Sequence, residues 1–97
     1  MSKKGYFIAN IEVHDPETFA KYAEKVPATI EQYGGRYVIR GGEQEVAEGE
    51  GVRPRTVVLE FESLEAVKTW YNSPEYQAII DLRLKAADGR AHYVEGY

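Results

Sequence analysis

The chain has 97 residues, of which 43% are apolar and 29% are charged, and its formal net charge is −4. This length supports one domain, residues 1–97, and the mildly acidic balance without clustered Lys/Arg argues against nucleic-acid binding. Because there is no cysteine and no apolar run longer than four residues, we expect neither disulfides nor a membrane segment, and a cytoplasmic protein.

The first half of the chain predicts a strand followed by a helix. Apolar side chains alternate from Gly5 to Val13, as in a strand with one buried face. Asp15 is the predicted N-cap of the helix, and Pro16 takes its first position. Pro27 removes a backbone donor, so we expect a kink or a break near residues 24–26. The apolar stripe of this helix, which ends at a glycine pair, consists of Phe19, Tyr22, Ala23, Val26, Ile30 and Tyr33.

A long-tipped hairpin is predicted next. Residues 36–41 form its first strand, Gly42 is a predicted bulge, and residues 54–61 form the returning strand. The acidic tip, residues 43–50, has two interpretations, an arm that reaches a partner subunit or a flexible loop.

The last part of the chain predicts two helices and a strand. Ser63 caps a helix over residues 64–71, and Ser73 caps a second helix that runs to about Ala87. The final strand covers residues 91–97, and its inward face, either His92 and Val94 or Ala91 and Tyr93, stays open. The inward positions predicted for the second helix are Tyr76, Ile79, Ile80 and Leu84.

The order strand, helix, strand, strand, helix, strand predicts an α+β fold, a ferredoxin-like antiparallel sheet with both helices on one face. The opposite face would carry Tyr6, Ile8, Val38 and Val58. Because so much apolar surface favours burial, we expect a homodimer in which two sheets meet face to face.

Six short runs resemble the family called domain of unknown function 1330, along nearly the whole chain. They are residues 5–10, 14–16, 33–36, 40–42, 60–61 and 70–76. The resemblance implies a dimeric α+β barrel, an architecture that also hosts cofactor-independent monooxygenases, muconolactone isomerase and haem-dependent chlorite dismutase. It implies no particular reaction, because one frame carries different chemistries.

The residue types available make several kinds of site poor candidates. His14 and His92 are far apart in the sequence and have no carboxylates at ligand spacing, so we expect no metal and no haem or other cofactor. Ser63 and Ser73 serve as helix caps, which leaves no serine for a hydrolase triad. Arg83 is expected to be exposed, or paired with Asp81 or a partner subunit.

Three polar residues in the middle of strands are the strongest site candidates: Asn10, Arg40 and Glu60. If residue numbers on the second and third strands sum to about 100, Arg40 lies opposite Glu60. One interpretation is a buried ion pair that fixes the register of a dimer. In the other, Arg40 binds an anionic or carbonyl oxygen beside Asn10, Glu60 has a raised pKa and acts as a general base, and Tyr6 lines the mouth.

The leading functional hypothesis is therefore a homodimer with an internal pocket for a small anionic or carbonyl metabolite. Its enzymatic form would be a cofactor-independent monooxygenase or isomerase. The alternative is a non-catalytic binding or structural dimer whose interior is filled by side chains.

Overall fold

The computed structural model describes residues 3–97, and it contains four strands and four helices. In chain order they are β1 (Gly5–Val13), α1 (Pro16–Gln32), β2 (Arg36–Arg40), β3 (Arg55–Phe61), α2 (Leu64–Tyr71), α3 (Pro74–Gln77), α4 (Ile80–Ala86) and β4 (Ala87–Glu95). The strands form one antiparallel sheet in the order β2-β3-β1-β4. The predicted α+β, ferredoxin-like architecture is confirmed.

The two faces of the sheet differ as the alternation along β1 predicted. Phe7, Ala9 and Ile11 are buried beneath the helices, whereas Tyr6, Ile8 and Asn10 lie on the opposite side. We call that second side the open face, since the helices leave it uncovered. Strand β3 continues both faces, with Leu59 and Phe61 toward the helices and Val58 and Glu60 on the open face.

Helix α1 begins and ends as its sequence predicts, but Pro27 does not divide it. The Asp15 carboxylate accepts hydrogen bonds from the backbone N–H of Thr18 at 3.2 Å and from its hydroxyl at 2.7 Å. The helix then runs unbroken from Pro16 to Gln32, so the predicted break is wrong. Val26 and Ile30 are buried in the core on either side of Pro27.

The segment after Ser73 differs from the single helix that the sequence predicted. It is split at Ala78 and Ile79 into α3 and α4, and strand β4 begins at Ala87 instead of residue 91. Along β4, Tyr93 pairs with Phe7 and packs against the core, so the face with Ala91 and Tyr93 is the inward one.

The core lies between the sheet and the helices and is rich in aromatic rings. Trp70 and Tyr76 are fully buried, with ring centroids 4.2 Å apart. The Trp70 indole donates to the Thr29 hydroxyl at 3.0 Å, which satisfies its only polar group. Trp70 lies in the core, and the neighbouring Tyr71 packs against it.

The open face carries several apolar side chains beside its polar ones. Val38, Ile39 and Val94 are 46%, 43% and 41% exposed. Val58 on β3 and Ile8 on β1 lie side by side on the two central strands.

No helix among residues 3–97 has the length and apolarity needed to cross a membrane.

Candidate functional site

The open face brings Tyr6 and Glu60 together, with Arg36 as the basic partner. The Tyr6 hydroxyl donates to one carboxylate oxygen of Glu60 at 2.8 Å, and Arg36 Nε donates to the other at 2.9 Å. Tyr6 and Arg36 are the neighbours of Glu60 on the two flanking strands, which explains the contacts. Glu60 therefore already has a hydrogen-bond donor on each oxygen.

The predicted pairing of Arg40 with Glu60 is wrong. Arg36 lies opposite Glu60, so the register of β2 and β3 is four residues away from the predicted one, and an irregularity between Tyr37 and Ile39 then places Arg40 opposite Val57. One extra residue in a strand moves every later side chain to the other face. Arg40 consequently faces the helices, with its guanidinium carbon 4.5 Å from the centroid of the Tyr37 ring.

The pKa of Glu60 also moves against expectation. The hydrogen bond from Tyr6 and the contact with Arg36 hold the pKa of this carboxyl below its usual value, and they outweigh the opposing effect of burial. A carboxylate with a lowered pKa is a weaker base at neutral pH. The prediction of a raised pKa for a general base at Glu60 is therefore wrong.

Asn10 bonds to the loop between β2 and β3. Its amide nitrogen lies 3.2 Å from the Arg53 carbonyl and 3.0 Å from the Thr56 hydroxyl, and its oxygen accepts from the Arg53 N–H at 3.0 Å. Gln44 supports the same segment by donating to the Arg53 carbonyl at 2.9 Å. These contacts use both ends of the Asn10 amide.

A partly open cavity lies on the other side of the sheet, between α1, α4 and the strands. It has a volume of about 30 Å³, room for about two water molecules. Most of its lining is apolar, including Phe7, Ala9, Ile11, Val26 and Leu59. Its cationic lining residues are Arg40, Arg55 and Arg83, and we call this space the arginine cavity.

Arg83 is the most deeply buried of the three, contrary to the sequence expectation that it would be exposed. Its residue is 8% exposed, and its Nε has no hydrogen-bond partner within residues 3–97. It lies on the same side of the helical segment as Tyr76 and Ile80, at seven- and three-residue spacing, whereas Leu84 is 56% exposed. That spacing is the signal in the sequence that predicts a buried position for Arg83.

Arg55 enters the cavity from the start of β3. Its Nε is buried and likewise lacks a partner in the described chain, and its guanidinium carbon lies 5.6 Å from the centroid of the Phe19 ring. Gly41 lies directly against this guanidinium, and its φ of 69° is in the left-handed region. A side chain at position 41 would be strained and would meet Arg55, so glycine here keeps the guanidinium in place.

Within residues 3–97 no carboxylate pairs with the charges of the cavity, although the neighbouring Tyr76 and Tyr22 outweigh the effect of burial and raise the pKa of the Arg83 guanidinium. None of the ion pairs found within residues 3–97 involves Arg40, Arg55 or Arg83, and no carboxylate or histidine lines the cavity in that part of the chain. Tyr22 and Tyr37 line the cavity, and the buried hydroxyl of Tyr22 lies 2.8 Å from that of Tyr76. Burial raises the pKa of the Tyr22 and Tyr76 phenols, although the Arg83 charge opposes this at Tyr76.

This arrangement suits a negatively charged group more than a cation. Arginine keeps its proton and offers a fork of N–H donors, and an apolar surrounding strengthens its attraction for an anion. Within residues 3–97 no three His, Asp or Glu side chains lie together in a way that could hold a metal ion.

The fold and the cavity define a class: a small ferredoxin-like α+β protein with a cationic space between its sheet and its helices. The chain belongs to the family described as a domain of unknown function, DUF1330, whose sequence profile matches residues 4–97. The resemblance that the sequence predicted is confirmed. No functionally curated protein matches the chain significantly.

Three solved structures illustrate the fold. A protein of unknown function from Rhodopseudomonas palustris is 18% identical with a TM-score of 0.77, over 100% of this chain and 85% of its own. A dimeric ferredoxin-like protein of unknown function from Thermobifida fusca is 14% identical with a TM-score of 0.67, covering 98% and 92%. SnoaB, a cofactor-independent oxygenase from Streptomyces nogalater, is 12% identical with a TM-score of 0.66, covering 99% and 95%. At these identities the similarity shows the fold alone.

Proposed function

We propose that the protein is a homodimer that binds a small anionic molecule in the arginine cavity of each subunit. The observation that carries this proposal is Arg83, a buried guanidinium that lines the cavity with an unpartnered Nε and no carboxylate beside it. A buried N–H donor without an acceptor costs folding free energy. A bound anion would supply the missing partner.

Dimerisation rests on the open face. It exposes more valine and isoleucine surface than is usual for a sheet face in contact with water. Pairing of two such faces would bury these side chains. The similar protein from Thermobifida fusca and one from Bacteroides fragilis are both described as dimeric. In this arrangement Tyr6, Asn10 and Glu60, which the sequence suggested as ligand contacts, lie at the subunit interface, and Arg40 alone belongs to the cavity.

Binding is supported better than base-initiated chemistry. The described lining contains no carboxylate or histidine, and burial raises the pKa of Tyr22 and Tyr37. No side chain of that lining is therefore ready to take a proton at neutral pH. The oxygenase among the similar structures shares the fold but supplies no residue that argues for its reaction here.

A second candidate is a structural dimer with a side-chain-filled interior. The observation that favours it is the small size of the cavity, about 30 Å³, which is far below the few hundred Å³ usual for ligand sites. The two candidates differ in what the arginines do: in the second, water alone satisfies them.

Native mass spectrometry of protein purified gently from cells tests the proposal. We expect a dimer that carries noncovalent excess mass, which Arg83→Met removes. Lys85→Met is the matched control, because it removes one positive charge from an exposed position of the same helix. Excess mass that persists in Arg83→Met would place the ligand elsewhere, and identical bare masses in all three proteins would favour the structural dimer.

A further inference from the structure

We infer that the ligand of the arginine cavity is a small organic carboxylate with a short apolar chain, held by Arg83 and Arg55. This inference rests on the proposed function and adds the chemical class of the ligand. It is drawn from three features of the cavity: the free edges of two guanidiniums, the apolar walls and the small volume.

The free edges come first. Both Arg83 and Arg55 have a buried Nε without a partner in the described chain. Arg83 belongs to α4 and Arg55 to β3, so the two side chains reach the cavity from different elements. An Nε–H together with one Nη–H forms the edge of a guanidinium that matches the two oxygens of a carboxylate. Two such edges at one cavity can be satisfied by a single anion that bridges them.

The walls distinguish a carboxylate from inorganic phosphate. Apart from the arginines and two tyrosines, every lining residue is a hydrocarbon side chain. An anion that is charged on all sides would lose its hydration against these walls without gaining donors there. A carboxylate on a short apolar chain has its charge on one side only, so both halves of the ligand meet matching surface.

The volume limits how much of the ligand is enclosed. A cavity of about 30 Å³ has room for about two water-sized groups, so it encloses the carboxylate, and the short apolar chain lies in the open part of the cavity. The exposed Arg40, stacked on Tyr37 at 4.5 Å, lies at the rim, where it adds positive charge to the entrance. Such a charge raises the local concentration of anions.

The test is a titration followed by the Nε–H resonances of the arginines in a ¹H–¹⁵N NMR spectrum. The probes are propionate, its neutral isostere propionamide, and inorganic phosphate, at equal ionic strength. We expect propionate to shift the Arg83 and Arg55 signals with a Kd in the millimolar range or below. Propionamide and phosphate should bind at least about tenfold more weakly, and the exposed Arg90 should not respond.

Two variants locate the site. Arg83→Met should abolish the response of Arg55 to propionate, whereas Lys85→Met should leave it unchanged. Ala23 is a half-buried lining residue of α1. Ala23→Leu should also weaken the binding of propionate, because the larger side chain fills the apolar part of the cavity while all three arginines remain. This second variant keeps the test valid if Arg83→Met does not fold.

The outcomes separate the two levels of the proposal. If phosphate binds as well as propionate at Arg83, the carboxylate class is overturned and anion binding survives. If propionamide matches propionate, the charge is irrelevant and the cavity is an apolar one. If none of the probes moves the Arg83 signal, the guanidinium binds no anion in the cavity, and both the ligand class and the proposed function fail.

Discussion

Glu60 is a carboxylate whose surroundings keep it ionised. Tyr6 and Arg36 each donate to one of its oxygens, and its side chain is 17% exposed. These contacts lower its pKa in the folded protein, with the Tyr6 hydrogen bond as the largest cause. Folding and ionisation of this group therefore favour each other.

The sign of this coupling gives a pH prediction. A lowered pKa in the folded state contributes stability that is present above the unfolded value, 4.5, and is lost as the pH falls through the folded value. The Tm of the wild type should accordingly fall as the pH drops below about 4.5, and Glu60→Gln should flatten part of that fall. Glu62→Gln is the control, because Glu62 is 80% exposed and 4.0 Å from Lys4. Equal pH profiles for the wild type and Glu60→Gln would contradict the assignment.

Asn10 hydrogen-bonds to Arg53 in the loop between β2 and β3, and its replacement should make that loop more mobile. Asn10→Ala removes the acceptor of the Arg53 N–H and the donor to the Thr56 hydroxyl. We expect a loss of about 1–2 kcal/mol in the free energy of unfolding, with faster hydrogen exchange at Arg53. Unchanged exchange at Arg53 would mean that Gln44, which donates to the Arg53 carbonyl at 2.9 Å, holds the loop by itself.

At the scale of the elements, the irregularity in β2 determines on which face of the sheet Arg40 lies. Residues 36 and 37 follow the register set by Glu60 and Leu59, and residues 39 and 40 follow one shifted by one position. The shift places Ile39 on the open face and Arg40 toward the helices. A single extra residue thus moves one arginine from the proposed interface to the proposed ligand site.

Helix α1 gives a second test at this scale. Because the helix is continuous through Pro27, alanine there would restore a backbone donor without changing the packing of Val26 or Ile30. The added freedom of the unfolded chain opposes this gain. We expect Pro27→Ala to change the free energy of unfolding in urea by less than about 2 kcal/mol. A larger loss would show that the proline fixes the geometry of the helix.

The features that the sequence predicted correctly depend on neighbours in the chain. Asp15, Ser63 and Ser73 cap helices as expected, because an N-cap is recognised from a few adjacent residues. The odd positions of β1 from 5 to 11 are buried because the period of a strand is two.

The features that were missed depend on pairing between distant segments. The irregularity at residue 38 could not be predicted from its neighbours in the chain, since no glycine marks it and Gly42 was the more typical candidate.

The burial of Arg83 was missed for a different reason. Its spacing from Tyr76 and Ile80 placed it on the inward stripe, but charged residues are rarely found there without a partner.

For the whole molecule, the open face is the feature on which the proposed dimer rests. Its central residues Ile8 and Val58 come from neighbouring strands, and the flanking Val38, Ile39 and Val94 are 46%, 43% and 41% exposed. Two copies that meet on this face would bury the apolar centre of the sheet on both sides.

Sedimentation tests the proposed dimer. At micromolar concentration the wild type should have twice the 11.0 kDa mass of the chain. Val58→Asp should shift it to the monomer by placing a charge in the interface. The matched control is Leu84→Glu, since Leu84 is an exposed apolar residue on α4, away from the open face. A monomeric wild type, or equal dissociation by both variants, would contradict face-to-face pairing.

The central claim is that Arg83 serves a ligand and is not needed for the fold. Its most direct test is the free energy of unfolding of Arg83→Met in urea, without added anions and with Lys85→Met as the control. Methionine keeps most of the apolar stem and removes a buried guanidinium whose Nε has no hydrogen-bond partner in residues 3–97. We predict that Arg83→Met is as stable as the wild type or more stable by about 1 kcal/mol. A loss of about 3 kcal/mol or more, with Lys85→Met unchanged, would show that Arg83 is a structural residue and would contradict the claim.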